Sequence, residues 1–207
     1  MGSTNTTQHA DEHKQLLFYK LLAYKYADLI NSFERKTVGE VKALVNPDDL
    51  TIQSIVAEFK PVPYVFSDHY AQALSTAFEF LSKEISYVPL EVELNCWLTP
   101  KEILSSKVSD DEDLAIFLCA IMHALGDSNS HVVVAELSNL TPHAFVMTEL
   151  SNGLTKEFLL LDPCQTHPFN AFLGDKVKVL EAYSFNGNKI KRFLYKFNRS
   201  NYEQFLQ

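Results

Sequence analysis

The chain has 207 residues, 46% hydrophobic and 12% aromatic, which is ample for a buried core and excludes wholesale disorder. Its 26 acidic against 18 basic side chains give a net charge of −8, which argues against nucleic acid as a partner, because affinity there rests on clustered Lys and Arg. Met1 to Gln15 holds no apolar signal-type core, and no uncharged run reaches the roughly 18 residues of a membrane helix; the expectation is a cytoplasmic chain with no membrane partner.

Residues 1–11, rich in Thr, Gln and Ser, read as a disordered tail. Apolar residues at Leu17, Leu21, Tyr24 and Ile30 recur near helical spacing and predict a helix over 12–33. Thr37 and Glu40 are spaced as a capping box for a short helix over 38–45. Asn46-Pro47 marks the start of a helix reaching Phe59. Pro61 and Pro63 suggest a linker, which divides the chain into an N-terminal helical segment, 12–62, and a second domain, 63–207. Ser67 or Asp68 caps the next helix, with Tyr70, Leu74, Ala77, Phe78 and Leu81 on one face. An extended stretch over 85–98 follows, with Val92, Leu94 and Cys96 alternating with polar neighbours, and Thr99-Pro100 opens a short helical turn.

A strongly patterned helix over 111–125 carries Leu114, Leu118, Ile121, Met122 and Leu125 as its stripe, and Gly126 stops it. The period then switches to that of strands. His131–Leu137 is one. His143–Leu150 and Lys156–Leu161 form a hairpin around Ser151-Asn152-Gly153, and 177–185 with 189–197 form another around Asn186-Gly187-Asn188. Helices followed by an antiparallel sheet make an α+β protein. Lys189, Lys191, Arg192, Lys196 and Arg199 cluster near the end, and their alternation reads as the solvated face of a strand.

Three pieces stand in a chemically meaningful order: a helix opening Ser109-Asp110-Asp111-Glu112-Asp113-Leu114-Ala115, a strand beginning His143-Ala144-Phe145-Val146, and a strand ending Leu160-Leu161-Asp162-Pro163. A thiol acyl-transfer site places its nucleophile at a helix N-terminus, a His on an adjacent strand and an orienting acid on the next. With Trp97, Thr99-Pro100-Lys101-Glu102, Ala124-Leu125-Gly126 and Val132-Val133-Val134, the stretch over 68–165 resembles the transglutaminase-like superfamily, of the papain-type cysteine protease fold. The resemblance implies N-terminal helices followed by a core in which a central helix packs on an antiparallel β-sheet. It also implies a triad at Asp111, His143 and Asp162, with Trp97 helping to line the oxyanion side.

At the family's nucleophilic Cys position this chain has Asp111. A carboxylate is a poor nucleophile toward an amide, and loss of a triad nucleophile costs several orders of magnitude in rate. The resemblance therefore implies a catalytically inactive variant that binds or scaffolds a peptide or protein partner, without a cofactor. The alternative is a cysteine hydrolase or acyltransferase using a relocated thiol such as Cys164.

Each of these residues also has an ordinary explanation. Ser109 and Glu112 are spaced as a capping box, which would put Asp111 at the second helical position, where the helix dipole favours a carboxylate. His143 also fits an ordinary strand histidine, Asp162 a turn residue before Pro163, and Trp97 a core residue. The three cysteines form no CxxC pair and read as reduced thiols. Cys119, about 80° around the helix from Asp111, and Cys96 read as buried, and nothing in the sequence places a base against Cys164. A divalent metal shared by Asp111, His143 and Asp162 matches no motif, so no metal site is expected. Oligomeric state is not legible.

Overall fold

The computed structural model describes residues 4–90, 94–152 and 155–206, with side-chain surroundings described for 13–90, 94–151 and 155–206. The chain divides into two compact units, Met1–Arg35 with Leu90–Trp97 and Lys36–Pro89 with Leu98–Gln207.

In the smaller unit a single helix, α1 (Thr4–Glu34), is accompanied by the segment leading to Trp97. The Asn95 amide donates to Asn31 Oδ1 at 2.7 Å, and the Trp97 indole N–H donates to the Glu34 carbonyl at 3.1 Å. The helix starts at Thr4, within residues the sequence assigns to a tail; once a helix is nucleated, each added residue contributes one further hydrogen bond at little cost. The alternation at Val92 lies outside the described residues. Cys96 is exposed, contrary to the expectation from that alternation, because 94–98 joins no strand.

The larger unit begins with α2 (Val38–Leu44), capped by the expected Thr37–Glu40 box. α3 (Leu50–Phe59) starts three residues later than its Asn46-Pro47 signal implies: Asp49 is the N-cap, accepting from the Thr51 and Ile52 amides, while Asn46 Oδ1 accepts from Asp48 in the preceding turn. α4 (Phe66–Glu84) begins ahead of Ser67 and Asp68 and has no side-chain cap. Its expected face, Tyr70, Leu74, Ala77, Phe78 and Leu81, is buried.

The Pro61–Pro63 stretch is not a boundary between the units. α3 buries Ile52, Ile55 and Val56 and packs on α4 and on α6 (Asp111–Ala124). Lys60 Nζ and the Tyr64 hydroxyl then donate to the carbonyls of Ala124 and Leu125 at 2.8 and 2.7 Å, satisfying acceptors that a helix C-terminus leaves open. With helices on one side and the sheet on the other, ten residues of α6 are buried. The expected stripe therefore widens to the whole circumference.

Before α6 come β1 (Ser86–Tyr87), α5 (Pro100–Ser106) with a Thr99–Glu102 capping box, and β2 (Val108–Ser109), which pairs in parallel with β1. After it come β3 (His131–Leu137), β4 (Pro142–Asn152), β5 (Thr155–Leu161), β6 (Leu173–Gly174), β7 (Ile190–Phe197) and β8 (Tyr202–Gln204), in the antiparallel order β6-β5-β4-β3-β7-β8. Both faces are covered. Val132, Val134, Ala144 and Val146 are buried, and α6 packs on β3 and β4. Val133, Ala135, Phe145 and Leu160 form a core with Val179, Tyr183 and Phe185.

One expected strand is a helix. Lys176-Val177-Lys178-Val179 alternates like a strand, yet α7 (Lys176–Ala182) forms, with Asp175 Oδ1 accepting from Lys178 N–H. The residues buried are Val179 and Tyr183, four apart, which is helical spacing. The expected turn survives: Phe185 pairs with Asn188 across Asn186 and Gly187, both at positive φ as a type I′ turn requires.

The basic cluster is engaged within the unit. Lys191 and Arg192 pair with Glu136, Lys196 with Glu203 and Arg199 with Asp48, while Lys189 donates to carbonyls at the end of α7. Among the described residues no helix is long and apolar enough to cross a membrane.

If α3 is integral to the core, Ile52→Ala will destabilise the larger unit by about 2–5 kcal/mol, the usual range for emptying a buried aliphatic site. Urea unfolding followed by tryptophan-independent far-UV circular dichroism checks this; an unchanged midpoint would place α3 outside the cooperative core.

Candidate functional site

The β1–β2 pair delivers the chain to the start of α6. Ser109 is buried in β2, so it is unable to cap the helix; Asp110 does so, its Oδ1 accepting the Asp113 amide at 2.9 Å. The expected Ser109–Glu112 capping box is therefore absent, and Asp111 is the first helical residue rather than the second. Its two successors turn to other partners. Glu112 accepts from the Tyr195 hydroxyl at 3.0 Å, and Asp113 from the Leu98 amide at 2.9 Å. Burial, with the charge of Asp111 next, pushes Glu112 up to about 7; burial and then Asp110 push Asp113 up to about 8.

His143 lies on β4 and Asp162 follows β5. The register pairs Val146 with Leu161, so β5 ends there and leaves the backbone edge of β4 at 143–145 without a strand neighbour. Asp111 fills that gap: its Oδ2 accepts the Ala144 amide at 2.8 Å and lies 2.9 Å from His143 Nδ1. On the other side of the ring, His143 Nε2 lies 3.1 Å from Asp162 Oδ2. The ring stacks on Phe185 with centroids 3.8 Å apart, and Phe185 meets the edge of Tyr87.

Asp162 is fully buried, and every contact it makes is with a donor. Oδ2 also accepts from the Tyr183 hydroxyl at 2.8 Å and from Gln165 Nε2 at 2.9 Å, and Oδ1 accepts the Cys164 amide at 3.0 Å. For His143, burial works against the positive charge, but the hydrogen bonds to Asp111 and Asp162, and then their charges, outweigh it and push the imidazole up to about 9. At neutral pH it is an imidazolium donating from both nitrogens, to one carboxylate on each side.

The three residues predicted as a triad thus converge. Trp97 belongs to the smaller unit, with its indole N–H committed to the Glu34 carbonyl. Cys119 is buried as expected, 3.7 Å from Ser130 Oγ, and burial first of all pushes its thiol up to about 12. Cys164 differs from expectation: the sequence places no base near it, whereas its Sγ, a ring nitrogen of His143 and a carboxylate oxygen of Asp162 all lie within 4.8 Å of one another. Burial, followed by the charges of Asp162 and Asp111, drives its thiol far above the ordinary range, and the thiol hydrogen-bonds to Asp162. Among the described residues these three also form a group whose donor atoms could hold a metal ion.

Sequence reasoning missed Tyr183, Gln165, Phe185 and Tyr87. Only Gln165, three residues beyond Asp162 in a turn, has a local signal; the others arrive through tertiary packing.

A central helix whose N-terminal carboxylate meets a strand His, itself bonded to a buried Asp just beyond the next strand, agrees with the transglutaminase-like, papain-type fold that the sequence resembles. Residues 95–188, a little under half of the chain, match the model of the CEP76 peptidase-like domain. Among solved structures, LapG of Legionella pneumophila is similar at 15% identity, with a TM-score of 0.51, over 86% of this chain and 87% of that one. Calcium-bound LapG of the same organism aligns at 16% identity and a TM-score of 0.48, over 73% of this chain and 74% of that chain. A putative cysteine protease from Cytophaga hutchinsonii aligns at 14% identity and 0.42, over 67% and 46%. A search among curated proteins finds no match.

The folded chain holds the His143 proton more tightly than an unfolded one, whose histidine titrates near 6.5. That stabilisation is complete below about pH 6.5 and is lost as pH rises through about 9. Titration of His143 by NMR will show a midpoint near 9 that falls in Asp111→Asn, where one charged acceptor is lost. A midpoint indifferent to the substitution would contradict the pairing.

Proposed function

We propose that this protein is a catalytically inactive member of the transglutaminase-like fold that binds a peptide or protein partner, or scaffolds one. The observation carrying the proposal is the Asp111 carboxylate at the helix N-terminus, bonded at 2.9 Å to His143 in the position where the resemblance places a thiol. An imidazolium clamped between two carboxylates has no free lone pair with which to take a proton from a nucleophile. A general base needs that lone pair. The retained acyl-transfer geometry therefore supports recognition rather than turnover. An odd number of cysteines with no CxxC pair suits a reducing, cytoplasmic setting, and the net charge of −8 favours a protein partner over nucleic acid.

Cys164 supports a second reading, a hydrolase or acyltransferase with a relocated nucleophile, because its sulfur lies within 4.8 Å of the donor atoms of His143 and Asp162. The electrostatics oppose it. A reactive cysteine needs a lowered pKa, and here burial and two carboxylates raise it.

Amidase, deamidase, transamidase and peptidase assays are expected to show no turnover for the native chain; turnover abolished by His143→Ala would sink the proposal. Asp111→Cys restores the missing thiol beside an otherwise complete His–Asp pair, and activity gained by that variant would support the inherited-site reading. For the second reading, an electrophilic thiol probe should leave Cys164 slow and indifferent to His143; rapid labelling that disappears in His143→Ala would favour the relocated nucleophile instead.

A further inference from the structure

We infer that His143, Asp162 and Cys164 form a binding site for a divalent cation of the zinc class. A borderline-soft ion of this kind accepts imidazole nitrogen, carboxylate oxygen and thiolate sulfur together, whereas calcium and magnesium prefer oxygen alone. The donor atoms lie within 4.8 Å of one another, and two of the three residues are almost fully buried, His143 at 2% exposure and Asp162 at 0%. The donors are preorganised: Asp162 and Cys164 are fixed by the turn in which the Cys164 amide donates to Asp162 Oδ1, and His143 is fixed by its stacking on Phe185.

The spacing suits the ion. His143 Nε2 and Asp162 Oδ2 are 3.1 Å apart, and two ligands about 2.0–2.1 Å from a tetrahedral zinc stand about 3.3 Å apart. The supporting shell is already present. A metal-bound His donates its other ring N–H to a carboxylate, and Nδ1 faces Asp111 Oδ2, which the Ala144 amide holds in turn. The ligating carboxylate is itself hydrogen-bonded, by Tyr183 and Gln165. This gives Asp111 a positive role, as the residue that orients the ligand nitrogen.

The charge balance also closes. On binding, the Cys164 thiol proton and the His143 Nε2 proton leave to solvent, and bonds form from the metal to sulfur, nitrogen and oxygen. A carboxylate, an imidazolium and a neutral thiol sum to zero; so do a carboxylate, a neutral imidazole, a thiolate and a divalent ion. The buried group exchanges two protons for one metal without gaining net charge. With three protein ligands, a fourth position is left for water or a ligand atom.

The experiment is a titration of the full chain, freed of metal with a chelator, using Zn²⁺ by calorimetry and Co²⁺ by absorption. One ion per chain is expected, with a thiolate-to-cobalt charge-transfer band, and Zn²⁺ should protect Cys164 from alkylation. Cys164→Ser, a near-isosteric change at a half-buried position, should lose the band and the tight site. Asp111→Asn should keep the band and bind about 10–100-fold more weakly, as the loss of an outer-shell partner does. Absence of the band, absence of protection in the native chain, or Zn²⁺ affinity unchanged in Cys164→Ser would overturn the inference. None of these readouts involves turnover, so they test the metal site apart from the binding-module proposal, which rests on the metal-free, doubly protonated His143.

Discussion

The site is organised by one buried cation. His143 is 2% exposed, and an imidazolium at that depth is tolerable only with compensating charge and satisfied donors. Asp111 and Asp162 supply both, one on each ring nitrogen. Because desolvation and ion pairing oppose each other, the arrangement depends on geometry: neither carboxylate alone would hold the proton as firmly. Around that cation the rest of the larger unit makes sense, since each element near it either positions a carboxylate or shields the ring.

The shielding is specific. Phe185 lies flat against the imidazole, and the turn at Asn186-Gly187 aims it there from the end of α7. Tyr183, from the same segment, donates to Asp162 and packs against Phe145. The helix that replaces an expected strand is thus what brings two aromatic residues onto the site. A strand over 177–185 would have alternated its side chains across a sheet, whereas helical spacing puts Val179 and Tyr183 on one buried side.

Much of the architecture was legible because its signals are local. The capping box at Thr37, the helix start at Thr99-Pro100, the α6 pattern, the β4–β5 hairpin and the turn at Asn186-Gly187 each rest on residues within a few positions of one another. The convergence of Asp111, His143 and Asp162 was legible through motif order, as a property of the resembled family rather than of periodicity. What escaped depends on distant partners. Ser109 reads as a cap until β2 pairs with β1 and buries it. Cys96 reads as a core residue until its stretch fails to join a sheet. Cys164 reads as isolated because its proximity to His143 is created by strand register, which aligns the end of β5 with the start of β4.

That register also explains why an aspartate is comfortable at the head of α6. β5 stops opposite Val146, and the buried Ala144 amide, left without a strand partner on that edge, needs an acceptor. A thiol at Asp111's place would be a weak acceptor for it, whereas a carboxylate satisfies the amide and the imidazolium with one oxygen. The first helical position adds the favourable field of the helix N-terminus. Three requirements, a backbone donor, a buried cation and a helix dipole, are met by one side chain, so Asp111 stabilises the site in the same act that removes a lone pair from His143. An engineered Cys at 111 must therefore supply a nucleophile while leaving both the Ala144 amide and the His143 proton less well held. For that reason the fold's stability and its chemistry pull in opposite directions at this one position.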